Sequence, residues 1–117
     1  MIPTRTANEL PPARLRLVTN YVRTHLDENI TLRTMADLVQ LSPYHFARLF
    51  KQATGLTPHQ YLTGQRIEQA KQLLSNNPLT IAEIARRLGF ASRAHFTTIF
   101  HKRVGATPRE YRLQNNQ

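Results

Sequence analysis

The chain of 117 residues has no cysteine, which excludes disulfides, thiolate metal sites and cysteine nucleophiles together and suits a reducing compartment. No apolar run approaches the roughly 20 residues that a membrane span needs. The opening MIPTRTANELPP lacks the apolar core of a signal peptide, so the expected location is cytoplasmic. Strand patterning is missing as well: β-branched residues fall at helical rather than alternating positions. Acidic residues are scarce, seven Asp and Glu against 16 Lys and Arg, for a net charge of +9. That excess is more than solubility requires and implies an acidic partner. Because the basic residues are not gathered on one long amphipathic helix, nucleic acid fits better than a membrane surface.

Signs of catalysis are equally sparse. The five histidines form no H-E-x-x-H pattern, and His95 and His101 stand on different faces of a helix. No Gly-rich phosphate loop, serine elbow or facing pair of carboxylates is present. The expectation is a protein that is not an enzyme, with no catalytic residue, no cofactor and no metal.

What the chain does have is a duplication. SPYHFARLFKQATGLTPHQY (residues 42–61) returns as SRAHFTTIFHKRVGATPREY (residues 92–111), with His, Phe, Phe, Gly, Thr-Pro and Tyr at matching spacings. Around each copy the apolar residues recur at helical intervals. A first helix starts at Pro11-Pro12, carries Leu15, Val18, Val22 and Leu26 with Arg14, Arg16 and Arg23 turned away, and ends near Asp27-Glu28-Asn29. Thr31 caps a second, with Leu32, Met35, Ala36 and Val39 on its apolar face. Ser42-Pro43 opens a third, whose stripe is Phe46, Leu49, Phe50 and Ala53 and whose stop is Gly55. Thr57-Pro58-His59-Gln60 is a capping box for a long helix over 58–75, on the order of 27 Å, with Gly64 read as a point of close packing. Thr80 and Glu83 cap the fifth, Ser92 the sixth, which ends at Gly105, and Thr107 and Glu110 the seventh.

The fold class is therefore all-α, with about seven helices. Each repeat pairs a short helix holding a small Ala (Ala36, Ala85) with a serine-capped second helix. That is the layout of a helix-turn-helix, whose second helix can enter a major groove. The expected partition is an N-terminal arm or linker at 1–11, a first helix-turn-helix subdomain at 12–56, a linker helix at 57–76, a second subdomain at 77–113 and a tail at 114–117.

These segments, with RIEQAKQLL between them and IAEIARRLGFASRAHFTTIFHKRVGATPREYR as the longest match, resemble the DNA-binding domain of the AraC/XylS family of bacterial transcription regulators over roughly residues 12–113. The resemblance implies two helix-turn-helix units joined by a long helix, their reading helices facing adjacent major grooves of double-stranded DNA, so that a monomer spans what two single motifs usually cover. It also implies regulation of transcription, with a family leaning towards activation through RNA polymerase.

With the buried stripes removed, the base-reading candidates are Tyr44, Ala47 and Arg48 on the first reading helix and Arg93, Ala94, Thr97 and Thr98 on the second. Arg48 leads, because a guanidinium bonds guanine O6 and N7 together. Many family members carry a basic residue where this chain has Thr98, and Lys or Arg where it has His101, so the first half-site is expected to supply more specificity. Phosphate candidates are Lys51, Arg86, Arg87, His101, Lys102 and Arg103, with the helix starts at Thr31 and Thr80. Arg66, which matches a family arginine on the linker helix, is assigned to holding structure through carbonyl or carboxylate bonds. Two other readings are a basic helical protein-interaction module, and the DNA-targeting segment of a larger regulator or repair enzyme.

Overall fold

The structure is a computed structural model that describes residues 9–115. The expected arm at 1–11 and tail at 114–117 thus lie largely or partly outside the described residues. Within them the chain forms α1 (Pro12–Thr24), α2 (Leu32–Leu38), α3 (Pro43–Thr54), α4 (Pro58–Asn76), α5 (Ile81–Arg87), α6 (Arg93–Val104) and α7 (Pro108–Asn115), and no strand.

Local chemistry sets most of these boundaries. Thr31, Ser42, Thr80 and Ser92 each accept a backbone N–H from the first turn of the helix they precede, a cap whose loss costs about 1 kcal/mol. Thr57 with Gln60, Thr80 with Glu83 and Thr107 with Glu110 close reciprocal capping boxes. Gly55 and Gly105 end α3 and α6 with φ of 83° and 90°, a left-handed conformation that costs a glycine nothing.

The chain divides into two compact units, and the division falls inside α4. Residues up to His25 join Ile30–Thr63 in the first unit, and Leu26–Asn29 join the chain from Gly64 onward in the second. In the first unit α2 packs on α1 and α3. Its buried side chains include Val18, Val22, Met35, Ala36, Val39, Phe46, Leu49, Phe50 and Leu62. In the second, α5 and α7 both pack on α6. Its core is Ile67, Ala70, Leu74, Ile84, Ala85, Leu88, Phe96 and Phe100.

The repeated Phe, Phe and Tyr letters now have a physical meaning. Phe46, Phe50 and Tyr61 form a ladder of tilted and edge-on rings with centroids 5.5 and 5.6 Å apart, and Phe96, Phe100 and Tyr111 form its counterpart at 5.6 and 5.5 Å. Such ring pairs add about 0.5–1.5 kcal/mol beyond the area they bury. Each ladder ties a serine-capped helix to the helix that follows it.

Several expectations are corrected. α1 stops at Thr24 rather than near Asn29, its C-cap His25 donating to the Val22 carbonyl, and residues 26–29 are held to the second unit. Arg14 is not turned away: its Nη1 donates to the Val39 carbonyl at 3.0 Å, at the C-cap of α2. Ala53 is exposed, since it sits a turn past Phe50 on the edge of the stripe, and Leu32 is 38% exposed. At Gly64 the packing is ordinary: a Cβ there would meet Arg103 Nη1 at 3.5 Å.

Candidate nucleic-acid interface

The face of α3 opposite its core stripe is fixed by where Phe46, Leu49 and Phe50 must go. Tyr44, Arg48 and Lys51 follow one another at i, i+4 and i+7 along that face, and all three are exposed. Tyr44 is 79% exposed, an unusual position for a ring that gains so much from burial. Ala47 stands beside them, half-buried, and lines a space shared with residues of α2 and the start of α4.

On α6 the corresponding residues are Ala94, Thr98 and His101, again exposed, with Arg93 in the first turn and Thr97 half-buried. One stripe therefore presents a phenol, a guanidinium and an ammonium group. The other presents a methyl, a hydroxyl and an imidazole. Neither helix carries an acidic residue.

In the second unit Arg86 and Arg87 stand exposed in the last turn of α5, and Lys102 in the last turn of α6. Arg103 is exposed too, but its guanidinium lies beside Gly64 of α4. The two short helices start differently. Thr31 Oγ1 accepts the Thr34 N–H at 3.0 Å and is hydrogen-bonded to the Thr34 hydroxyl at 2.9 Å. Thr80 donates its own N–H to Glu83 Oε1 at 2.8 Å, so that amide is occupied and a carboxylate stands where a phosphate was expected to approach. Hydrogen bonds from Thr80, aided by Arg86 and Arg87, hold the Glu83 carboxyl below its usual range. Thr107, aided by His101, does the same for Glu110.

Arg66 faces inward within the second unit. Its Nε donates to the Leu26 carbonyl at 3.3 Å and its Nη2 to the Glu28 carbonyl at 2.8 Å, and the guanidinium lies 6.0 Å from the Phe90 ring centroid. Burial lowers its pKa from the ordinary arginine value. A second clamp of this kind escaped the sequence reading: Arg112 of α7 donates to the carbonyls of Leu74 and Asn77 at 3.1 and 3.0 Å, closing the end of α4. The acceptors lie 38 and 35 residues away in sequence, and no local pattern signals them. His95 is exposed, its ring edge-on to that of Phe90 with centroids 6.0 Å apart. Among the described residues no His, Asp and Glu group is placed to hold a metal ion, and no helix is long and apolar enough to cross a membrane.

Two serine-capped helices, each packed on a short helix that holds a buried alanine and each showing a polar stripe, define a tandem helix-turn-helix protein. The helix-turn-helix domain family matches residues 35–114. The Escherichia coli arabinose operon regulatory protein is 38% identical over 100 residues, covering 85% of this chain and 34% of that protein. The Bacillus subtilis bifunctional transcriptional activator/DNA repair enzyme AdaA is 36% identical over 96 residues, covering 82% and 46%. Among solved structures, the DNA-binding domain of the global transcriptional factor AdpA, in complex with a target DNA, superposes with a TM-score of 0.82 at 33% identity, covering 86% of this chain and 91% of that one. The chain belongs to the AraC/XylS family, as one of its helix-turn-helix DNA-binding domains. It spans less than half the length of these curated relatives.

Proposed function

We propose that this domain is a sequence-specific, double-stranded-DNA-binding transcription regulator of the activating kind, which inserts α3 and α6 into adjacent major grooves as a monomer. The observation that carries the reading is the pair of exposed stripes, free of acidic side chains, on two helices held in the same way by twin aromatic ladders. The solved complex of AdpA with its target DNA supports the partner. The arabinose regulator supports the regulatory role. RNA polymerase is the further partner this role calls for, and a cytoplasmic, non-catalytic part goes with it.

On this reading Arg48 and Tyr44 read bases from α3, with Ala47 beside them. Arg93 leads on α6, and Ala94, Thr97 and Thr98 make weaker contacts. Lys51, Arg86, Arg87, His101, Lys102 and Arg103 and the start of α2 at Thr31 serve phosphates, which bring affinity without sequence information. Arg66 keeps a structural role, through the carbonyls of Leu26 and Glu28. The chemistry of the stripes makes α3 the more discriminating helix, since a bidentate arginine contact is worth about 1–3 kcal/mol against a wrong base.

A titration of Arg48→Ala and Thr98→Ala against a preferred duplex and its single-base variants tests the assignment. Arg48→Ala is expected to relax preference at one base pair by about tenfold or more, and Thr98→Ala to change it less. Equal affinity of the unmodified protein for all duplexes, unaltered by Arg48→Ala, would sink the reading. The likeness to AdaA favours a second reading, in which the same DNA grip targets a longer regulator or repair enzyme.

A further inference from the structure

The first unit holds a half-enclosed cavity of about 270 Å³ among α2, α3 and the start of α4. Ile30, Met35, Ala47 and Leu62 are among its apolar lining, and Thr31, Thr57 and His59 are its polar lining. Its size lies between an engineered apolar cavity of about 150 Å³ that holds benzene and the roughly 300 Å³ at which small-molecule pockets begin.

The lining includes no Asp, Glu, Lys or Arg. Thr57 Oγ1 already accepts the Gln60 N–H at 3.1 Å, and among the described residues no buried side-chain polar atom lacks a partner. Water inside would find few groups to bond, and a charged ligand would lose its hydration without compensation. An uncharged apolar molecule is what these walls favour.

The second repeat serves as an internal comparison. Where the first has Ala47, Leu62 and His59, the second has Thr97, Arg112 and Arg109. Arg112 is itself engaged, donating to the Leu74 and Asn77 carbonyls. Only the first copy combines a small methyl on the reading helix with an uncharged apolar residue on the following helix. The duplication preserves the ladder and caps in both units, so those features do not require this difference.

We infer that the cavity is a binding site for a compact, uncharged apolar molecule the size of one or two rings. Because Ala47 belongs to α3 and lies between Tyr44 and Arg48, the occupant presses on the same helix that carries the proposed base contacts and acts as an effector of DNA binding. The effector part rests on the DNA-binding reading, whereas the ligand site does not.

The test is a methyl NMR titration of the whole chain with toluene, and with benzoate as the charged counterpart of the same ring. Toluene is expected to shift the methyls of Ile30, Met35, Ala47 and Leu62 saturably, with half-saturation at or below about 1 mM, and benzoate to bind at least about tenfold more weakly because its carboxylate has no partner in the lining. Met35→Phe, which fills the space, is expected to abolish the response. Absence of a saturable shift, shifts centred elsewhere, equal binding of benzoate, or a response surviving in a folded Met35→Phe variant would each overturn the site. Should that variant not fold, the shift map of the unmodified chain decides. Saturating toluene is further expected to change duplex affinity at least about threefold, and an unchanged affinity overturns the effector role. Loss of all duplex binding in the absence of toluene would instead count against the DNA reading, since the methyl titration contains no DNA.

Discussion

Gly89→Ala is expected to be among the most damaging single-methyl additions in the second unit. Gly89 has φ of +78°, and a Cβ there would lie 2.6 Å from Arg66 Nη2, 2.9 Å from Arg66 Cζ and 2.9 Å from the Leu26 carbonyl oxygen. The backbone conformation alone costs a non-glycine residue about 1–2 kcal/mol. The methyl would also push the guanidinium off the carbonyls of Leu26 and Glu28, and hydrogen bonds from a charged donor contribute about 1.5–3 kcal/mol each. Arg66 is half-exposed, so water replaces part of that loss, and a total of about 3 kcal/mol follows. Urea unfolding of Gly89→Ala, Arg66→Ala and the double variant measures it. Since one methyl and one guanidinium compete for the same space, the double variant should be less destabilised than the sum of the singles by about 1–2 kcal/mol. Strict additivity, or a Gly89→Ala cost below about 0.5 kcal/mol, would refute the reasoning.

Other glycine and titration effects follow from the same geometry. Gly64→Ala adds a methyl in ordinary contact distance of Arg103 in the interior of α4, and a gain of about 0.5–1 kcal/mol in urea unfolding is expected. Gln40, at φ of 59°, occupies in the first unit the turn position that Gly89 fills in the second; Gln40→Gly should stabilise by up to about 1 kcal/mol in the same assay. The capping partners differ between repeats: Thr34 and Gln60 in the first do not titrate, whereas Glu83 and Glu110 in the second do. The folded-state pKa values of these two carboxyls are depressed. Their contribution is therefore complete above the ordinary glutamate range and is lost as pH falls through the folded values. Amide exchange as a function of pH should show the starts of α5 and α7 loosening in acid before those of α2 and α4, and Glu83→Gln should remove that dependence at α5.

The parts of the fold that were readable in advance are those whose causes are local. A Thr or Ser cap, its partner three residues on and a terminal Gly act within one turn, so the helix starts at 32, 43, 58, 81, 93 and 108 follow from neighbouring letters. The alternation of Phe46, Leu49 and Phe50 likewise determines which side of α3 is left to Tyr44, Arg48 and Lys51. Contacts between distant segments were not readable. Arg14, Arg66 and Arg112 each satisfy carbonyls 25 to 40 residues away, and an arginine on a helix looks the same in sequence whether it faces solvent or a helix end. Just past the early stop of α1, the carbonyls of Leu26 and Glu28 accept from Arg66, 40 and 38 residues on. Glu83 taking the Thr80 amide was legible as a capping box, but its consequence for a phosphate at that amide emerges only when donor and acceptor are set 2.8 Å apart. The cavity beside Ala47 is a property of space between three helices, and no single segment encodes it.

Selection of random duplexes by the purified chain at near-physiological salt, followed by sequencing of the retained DNA, tests the central claim most directly. Two short enriched blocks about one helical turn apart, the better-defined one lost on Arg48→Ala, are the predicted result. Retention without enrichment of any sequence, or enrichment untouched by Arg48→Ala, would contradict it.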